Sequence, residues 1–309
     1  MTPDKYLIVV VGPTAVGKTD LCVQLAKHFA TDVISMDSRQ FFQELSIGTA
    51  KPTPEEQQGI THYFVDSHSI TEEYNAGAFE QDALNLLDKL YQTHDVVIAT
   101  GGSGLYVRAL CEGLDEMPEI ASGVREALIA RLEQEGLEAL SQQLQDLDPV
   151  YAQQVDLQNP QRVMRALEVC LSSGQPYSSF RTKTSQKART FKTIKIGLTR
   201  DRNELYQRID HRMDLMLEQG LLDEVKRVLP YQQHQALQTV GYTELFNYLA
   251  GEYDFEEAVR LLKRNSRRYA KRQLTWFRRD EEITWFHPSQ KEDILAFIQQ
   301  RISEDPESR

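Results

Sequence analysis

The sequence predicts an α/β protein, a doubly wound parallel sheet with an all-helical segment inserted into it. Three observations carry that prediction. Apolar, β-branched runs alternate with helical patterns through the first hundred residues, one glycine-rich turn follows the first run and another follows the third, and from about residue 115 to residue 192 strand patterning gives way to helical periodicity.

Tyr6-Leu-Ile-Val-Val-Val11 is apolar throughout, as a strand buried on both faces must be. The loop Gly12–Thr19 follows, then a helical pattern at Leu21, Val23, Leu25, Ala26 and Phe29. A second strand, Val33–Met36, ends at Asp37; residues 76–91 read as an amphipathic helix; and Asp95–Thr100 reads as a third strand running into Gly101-Gly102-Ser103-Gly104. The texture changes near Leu114. Residues 123–172 form helical segments rich in Glu, Gln and Leu, broken at Pro149 and at Asn159-Pro160, and a polar, basic stretch covers 178–192. Strand patterning returns at Thr193–Leu198, followed by helices at about 201–229, 241–249 and 254–277. The expected division is a core of residues 1–114 and 193–309 interrupted by a helical insertion at 115–192, with a frayed tail at Ser303–Arg309.

With 40% apolar and 26% charged residues in 309, the composition is that of a soluble globular chain. No apolar run approaches the roughly 20 residues that span a bilayer. Met1-Thr2-Pro3-Asp4-Lys5 leads straight into a short apolar run, unlike a signal peptide, so a cytoplasmic protein is expected, and nothing demands more than a monomer. Cys22, Cys111 and Cys170 stand far apart in apolar contexts, without metal-ligand spacing; buried, inert thiols are expected and a zinc site is not. The net charge is −11, yet Arg181–Lys195 holds six basic residues and Ala258–Arg279 holds nine, with no acid in either stretch. An acidic body with two cationic surfaces suits a polyanion that docks in one orientation; a solvated helix face is the simpler alternative.

Gly12-Pro13-Thr14-Ala15-Val16-Gly17-Lys18-Thr19 matches G-x-x-x-x-G-K-[ST] in full, between a predicted strand and a predicted helix. Glycines let the backbone curl so that successive N–H groups point at phosphate oxygens, and the helix N-terminus adds partial positive charge. Lys18 adds a full charge, and the Thr19 hydroxyl is placed to bind Mg²⁺. The sheet is therefore expected to be P-loop NTPase-like and to bind a di- or triphosphate. The strand ending at Thr100 lacks the acidic residue that holds the metal in an ordinary NTPase, although Asp37 could serve the metal instead.

Asp37, at the C-terminal end of the second strand, is a candidate general base beside the phosphate site, followed by the polar Ser38-Arg39-Gln40. An N-cap of a following helix is the alternative role. The second glycine turn offers further backbone donors and the Ser103 hydroxyl.

Together with these features, Ile-Gly-Thr-Ala-Lys-Pro at 47–52, Gly-Gly-Ser-Gly-Leu-Tyr at 101–106, Asn-Pro-Gln-Arg-Val-Met-Arg-Ala-Leu-Glu at 159–168, Val-Gly-Tyr at 240–242 and Ala-Lys-Arg-Gln-Leu-Thr-Trp at 270–276 occur in order. The chain thereby resembles the tRNA dimethylallyltransferases (isopentenyltransferases) from Gly12 to about Trp285. The resemblance implies that dimethylallyl diphosphate occupies the P-loop, held by residues 14–19, Lys18 and a Mg²⁺ on Thr19. Asp37 then takes a proton from the exocyclic amine of an adenine beside the anticodon, and Arg212 lies near the departing diphosphate. Ser103 stands where the family usually has Thr, keeping the hydroxyl without the methyl. Segment 37–40, Ser103, Arg125 and Gln161-Arg162-Val163-Met164-Arg165 match positions that contact tRNA. The insertion and its basic stretch 181–195 would grip the anticodon stem-loop, while the helix at 258–279 would supply phosphate contacts or line the core crevice. Trp276 and Phe277 are expected in the core. No Cys/His cluster follows residue 277, as in the shorter bacterial members. A P-loop kinase, a non-catalytic RNA-binding protein and the related enzymes that prenylate free adenine nucleotides are the alternatives.

Overall fold

A computed structural model describes residues 4–181 and 188–304. The end of the tail, 305–309, and residues 182–187 of the basic stretch lie outside the described residues. The first of two compact units comprises Met1–Cys111 with Ala188–Arg309, and the second Glu112–Lys187.

In the first unit the chain runs β1 (Tyr6–Val11), α1 (Lys18–Phe29), β2 (Val33–Ser35), α2 (Pro54–Gln57), β3 (His62–Tyr63), α3 (Ala76–Leu90), β4 (Val96–Gly101) and α4 (Gly104–Cys111). The second unit supplies α5 (Val124–Leu147), α6 (Pro149–Ala152), α7 (Pro160–Ser173) and α8 (Tyr177–Phe180). The first then resumes with β5 (Lys192–Leu198), α9 (Arg202–Glu218), α10 (Leu221–Val228), α11 (Tyr242–Leu249), α12 (Phe255–Phe277), β6 (Thr284–Phe286) and α13 (Lys291–Ser303). Among the described residues, no helix is long and apolar enough to cross a membrane.

Among the described residues six strands lie in the order β3-β2-β4-β1-β5-β6, every neighbouring pair parallel. β1 is buried along its whole length because helices cover both faces of the sheet. Tyr6, Ile8 and Val10 pack with Leu21 and Leu25 of α1, Ile209 of α9 and Ile294 of α13. Leu7, Val9 and Val11 point the other way, onto Phe79 and Leu87 of α3 and Leu110 of α4. The period-2 alternation thus feeds two cores, each such side chain contributing roughly 1.5–3 kcal/mol of burial.

Local chemistry sets most helix boundaries. Asn75 accepts from Gly77 N and Ala78 N at the start of α3, and Asp254 accepts from Glu257 N at the start of α12. The predicted helix over 201–229 is two helices, because Gly220 adopts φ 101° and turns the chain between α9 and α10. β3 and β6 were not anticipated: at two and three residues they carry no periodicity and exist only through pairing with β2 and β5.

The second unit has its own core, centred on Leu128, Leu140, Leu144, Val163 and Leu167. Its buried Asp148 ties α6 to α8, accepting from Tyr151 N at 2.9 Å, Ser178 N at 2.6 Å and Ser178 Oγ at 2.8 Å.

Candidate active site

Adjacent strands β2, β4 and β1 are parallel, so the residues after each arrive at the same sheet edge: Asp37 after β2, Gly102–Ser103 after β4 and Gly12–Thr19 after β1. β1 is also the strand from which the chain leaves toward β2 on one side and to which β5 pairs on the other, the position where open α/β sheets bind ligands.

The phosphate loop is fixed from several directions. Lys18 Nζ donates to the carbonyls of Gly12 and Pro13, both at 2.9 Å. Arg208 Nε donates to Ala15 O and Arg200 Nε to Val16 O, each at 2.9 Å. Arg212 Nη1 reaches Thr14 Oγ1 at 3.5 Å, so α9 sets this arginine at the loop. Burial, against the attraction of Asp37 and with the repulsion of Arg212, brings the Lys18 ammonium down to about 8. Burial also loosens the proton of Arg212, partly offset by Glu56.

Asp37 begins a turn rather than a helix. Its Oδ1 accepts from Arg39 N at 2.9 Å, so the capping alternative is reduced to a local side-chain turn. Burial raises its pKa above the usual carboxylate range despite that hydrogen bond and the nearby Lys18 and Arg39 charges. Ser38 N donates to Ser103 Oγ at 3.0 Å, and Ser103 Oγ donates to Ser38 Oγ at 3.0 Å, which joins the two loops. Gln40 faces inward, accepting from Ser35 Oγ at 3.0 Å. Beside these groups is a cavity of about 260 Å³ lined by Ser38, Ser103, Tyr106, Tyr269, Arg272 and Trp276.

The profile described as IPP transferase matches residues 40–280. A tRNA dimethylallyltransferase of Cytophaga hutchinsonii is 57% identical over 301 residues, covering 97% of this chain and 99% of that one. The chain belongs to the IPP transferase family. The crystal structure of a tRNA isopentenylpyrophosphate transferase from Bacillus halodurans is 37% identical, covers 97% of each chain and superposes with a TM-score of 0.71. A eukaryotic dimethylallyltransferase described as acting on tRNA is 26% identical with a TM-score of 0.82, over 98% of this chain and 80% of that one. As a member of the IPP transferase family, this protein is a prenyltransferase.

Lining the crevice was one role expected of α12, but sequence reasoning missed its Gln273. Gln273 is buried; its Oε1 accepts from Thr14 N at 2.9 Å and its Nε2 donates to Gly102 O at 3.0 Å, bridging the two glycine loops. That bridge explains the second glycine turn, since a Cβ on Gly102 would lie 2.2 Å from Gln273 Nε2 and one on Gly104 would lie 2.1 Å from Trp276 Nε1. The signal was present in the 270–276 motif, which contains both residues. Trp276 corrects an expectation: it is 42% exposed and lines the cavity, whereas Phe277 is buried as expected. On α12 the buried stripe is Ser266, Ala270, Gln273 and Phe277, and Tyr269, Arg272 and Trp276 form a second stripe one position earlier. Burial, then the Asp37 charge, pushes the Tyr269 hydroxyl up to about 12.

Four cations of the basic stretch 181–195 fall on described residues. Arg189 is ion-paired with Glu80 at 3.1 Å, Lys192 with Asp4 at 3.2 Å and Lys195 with Asp280 and Glu282, both at 2.8 Å. These pairs tie parts of the first unit together, with the Arg189 and Lys195 side chains buried and that of Lys192 partly exposed. Arg181 stacks over the Tyr151 ring at 5.1 Å. In the second unit Arg125 and Arg165 are exposed, and each donates from Nη1 to the buried Glu168 at 3.2 Å. Gln161 and Arg162 are exposed as well and Met164 is half-buried, but Val163 is fully buried, so its side chain packs the core rather than reaching a ligand. The three cysteines are buried, and burial pushes the Cys22 thiol up to about 12.

The metal fit is simple. Among the described residues no group of three or more His, Cys, Asp or Glu side chains is placed to hold an ion. The Thr19 hydroxyl in the first turn of α1 is an oxygen donor of the kind a divalent cation takes.

Proposed function

We propose that this enzyme transfers a dimethylallyl group from dimethylallyl diphosphate to the exocyclic amine of the adenosine 3′-adjacent to the anticodon, tRNA position 37, in tRNAs reading codons that begin with U. The observation that carries the reading is the convergence of the phosphate loop, Asp37 and Ser103 on one edge of three adjacent strands, in a chain 57% identical to a tRNA dimethylallyltransferase. The tRNA anticodon stem-loop is the acceptor, and the reaction belongs in the cytoplasm. One chain supplies every group invoked, so a monomer suffices.

The diphosphate lies in the phosphate loop, bonded by the N–H groups of residues 15–19, by Lys18 and by Arg212, since Thr14 N already donates to Gln273 Oε1. Mg²⁺ held at Thr19 would supply further neutralisation of the diphosphate. As the C–O bond to the first dimethylallyl carbon breaks, the adenine nitrogen forms its bond to that carbon, and the electron pair leaves with the bridging oxygen. The preorganised N–H groups and cations lower this barrier by stabilising the charge that develops on diphosphate. Asp37 accepts the proton lost by the nitrogen, and its raised pKa makes it a stronger base than an ordinary carboxylate. Ser38, Arg39 and Ser103 line the acceptor side, with Gln40 turned inward behind them, consistent with a base extruded from the anticodon loop. Arg125, Gln161, Arg162, Met164 and Arg165 contact the stem-loop backbone.

Incubation with Mg²⁺, radiolabelled dimethylallyl diphosphate and unmodified tRNA tests the reading, with adenosine monophosphate and ATP as parallel acceptors. Label is expected in tRNA at the adenosine 3′ of the anticodon. Label confined to free nucleotide would reassign the acceptor, and Asp37→Ala is expected to lower transfer by about 10²–10⁴-fold while tRNA binding persists.

A further inference from the structure

Two segments that carry the family resemblance, 47–52 and 240–242, have no part in the reaction scheme above, yet the fold brings them together around one buried carboxylate. Glu224 of α10 is 1% exposed. Its Oε2 accepts from Ser46 N at 3.0 Å and Ile47 N at 2.8 Å, and its Oε1 accepts from Gly48 N at 2.9 Å and Tyr242 Oη at 2.7 Å. Tyr242 is fully buried, and a Cβ on Gly48 would lie 2.7 Å from its ring and hydroxyl, so glycine is required where backbone and phenol meet.

The turn gripped in this way hands its geometry to the Asp37 loop. The next two carbonyls, Thr49 O and Ala50 O, accept from Gln40 Nε2 at 3.4 and 3.2 Å. Gln40 Oε1 accepts from Ser35 Oγ, which in turn accepts from Asp37 N at 3.4 Å. Lys51 Nζ donates to Phe42 O at 2.5 Å, closing the far end of the same loop. We propose that Glu224, with Tyr242, is a positioning residue that holds the 46–51 turn and through Gln40 fixes the Asp37–Gln40 loop in its reactive geometry.

The surroundings favour this over a packing role. Phe42, Leu45, Leu221, Val225 and Leu245 form an apolar cluster at this point, where a buried carboxylate is costly unless its oxygens are filled, as four donors fill them here. The carboxylate aims three consecutive N–H groups at one point, which fixes the direction of the carbonyls that follow. The inference rests on the proposed role of Asp37.

Single-turnover transfer at saturating tRNA and dimethylallyl diphosphate separates positioning from folding, because misfolding lowers the amplitude whereas misplacement lowers the rate constant. In Glu224→Gln the amide keeps one acceptor and turns a donor toward the N–H groups; its rate constant is expected to fall about 10–100-fold. Tyr242→Phe, which removes one hydrogen bond of four, is expected to lose about threefold or more. Glu224→Asp should fall between the parent and Glu224→Gln. If Glu224→Gln does not fold, Tyr242→Phe decides. Parent-like rate constants in the folded variants, with loss only in amplitude or melting temperature, would overturn the inference. Asp37→Ala belongs in the same series. Full activity there removes the base assignment and this inference with it, whereas an inactive Asp37→Ala beside parent-like Glu224→Gln and Tyr242→Phe removes this inference alone.

Discussion

Lys18 and Asp37 feel each other's charge, and burial drives their proton affinities toward one another, the lysine down to about 8 and the carboxylate above its usual range. Transfer needs Asp37 ionised to accept a proton and Lys18 charged to bind diphosphate. Because kcat/KM reports the free enzyme, its pH profile is expected to rise through an acid limb above the ordinary carboxylate range and to fall through an alkaline limb near pH 8. A guanidinium does not lose its proton in that range, so Lys18→Arg should move the alkaline limb upward even if its maximum is lower. An unmoved alkaline limb in Lys18→Arg would assign that titration to another group. At this scale the sequence was informative: the loop spacing named Lys18 and Thr19, and the strand end named Asp37. The proton affinities were not legible, because they follow from burial that only packing creates.

Helix α12 is the element whose role the sequence half disclosed. Its basic character and length were visible, and lining the crevice was one of two roles offered for it. The placement of Trp276 was not, because periodicity reports which stripe is apolar and cannot say that a neighbouring stripe borders a cavity. Gln273 reads as an ordinary polar helix residue until its two amide hydrogen bonds are seen. Gly102→Ala should therefore displace Gln273 and leave Thr14 N and Gly102 O without it, destabilising the protein by about 1–3 kcal/mol in urea unfolding. Gln273→Ala should cost a similar amount. The double variant should be little worse than the poorer single one, because both break the same bridge, and full additivity would show that the bridge is not the cause.

For the molecule as a whole, a net charge of −11 conceals where cations are free to act. In the basic stretch after Arg181, Arg189, Lys192 and Lys195 are paired with carboxylates distant in sequence. In the second unit, Glu168 instead holds Arg125 and Arg165 at the surface, where both remain exposed. Arg125→Ala or Arg165→Ala is expected to weaken tRNA binding and to reduce the slope of log K against log salt by about 0.7–0.9, the loss of one phosphate contact. A slope unchanged in both would take these arginines out of the interface.

The sequence by itself determined the parallel α/β plan, the phosphate loop, the carboxylate after the second strand and the family, because each is written in local spacing or in short ordered motifs. Only the tertiary structure decided what those motifs do to one another. Glu224 meets the turn at 46–48 across more than 170 positions of chain, Gln273 meets Thr14 across 259, and strands of two and three residues form because a neighbour offers a free edge. Such contacts arise from chain closure and burial, which no local pattern encodes.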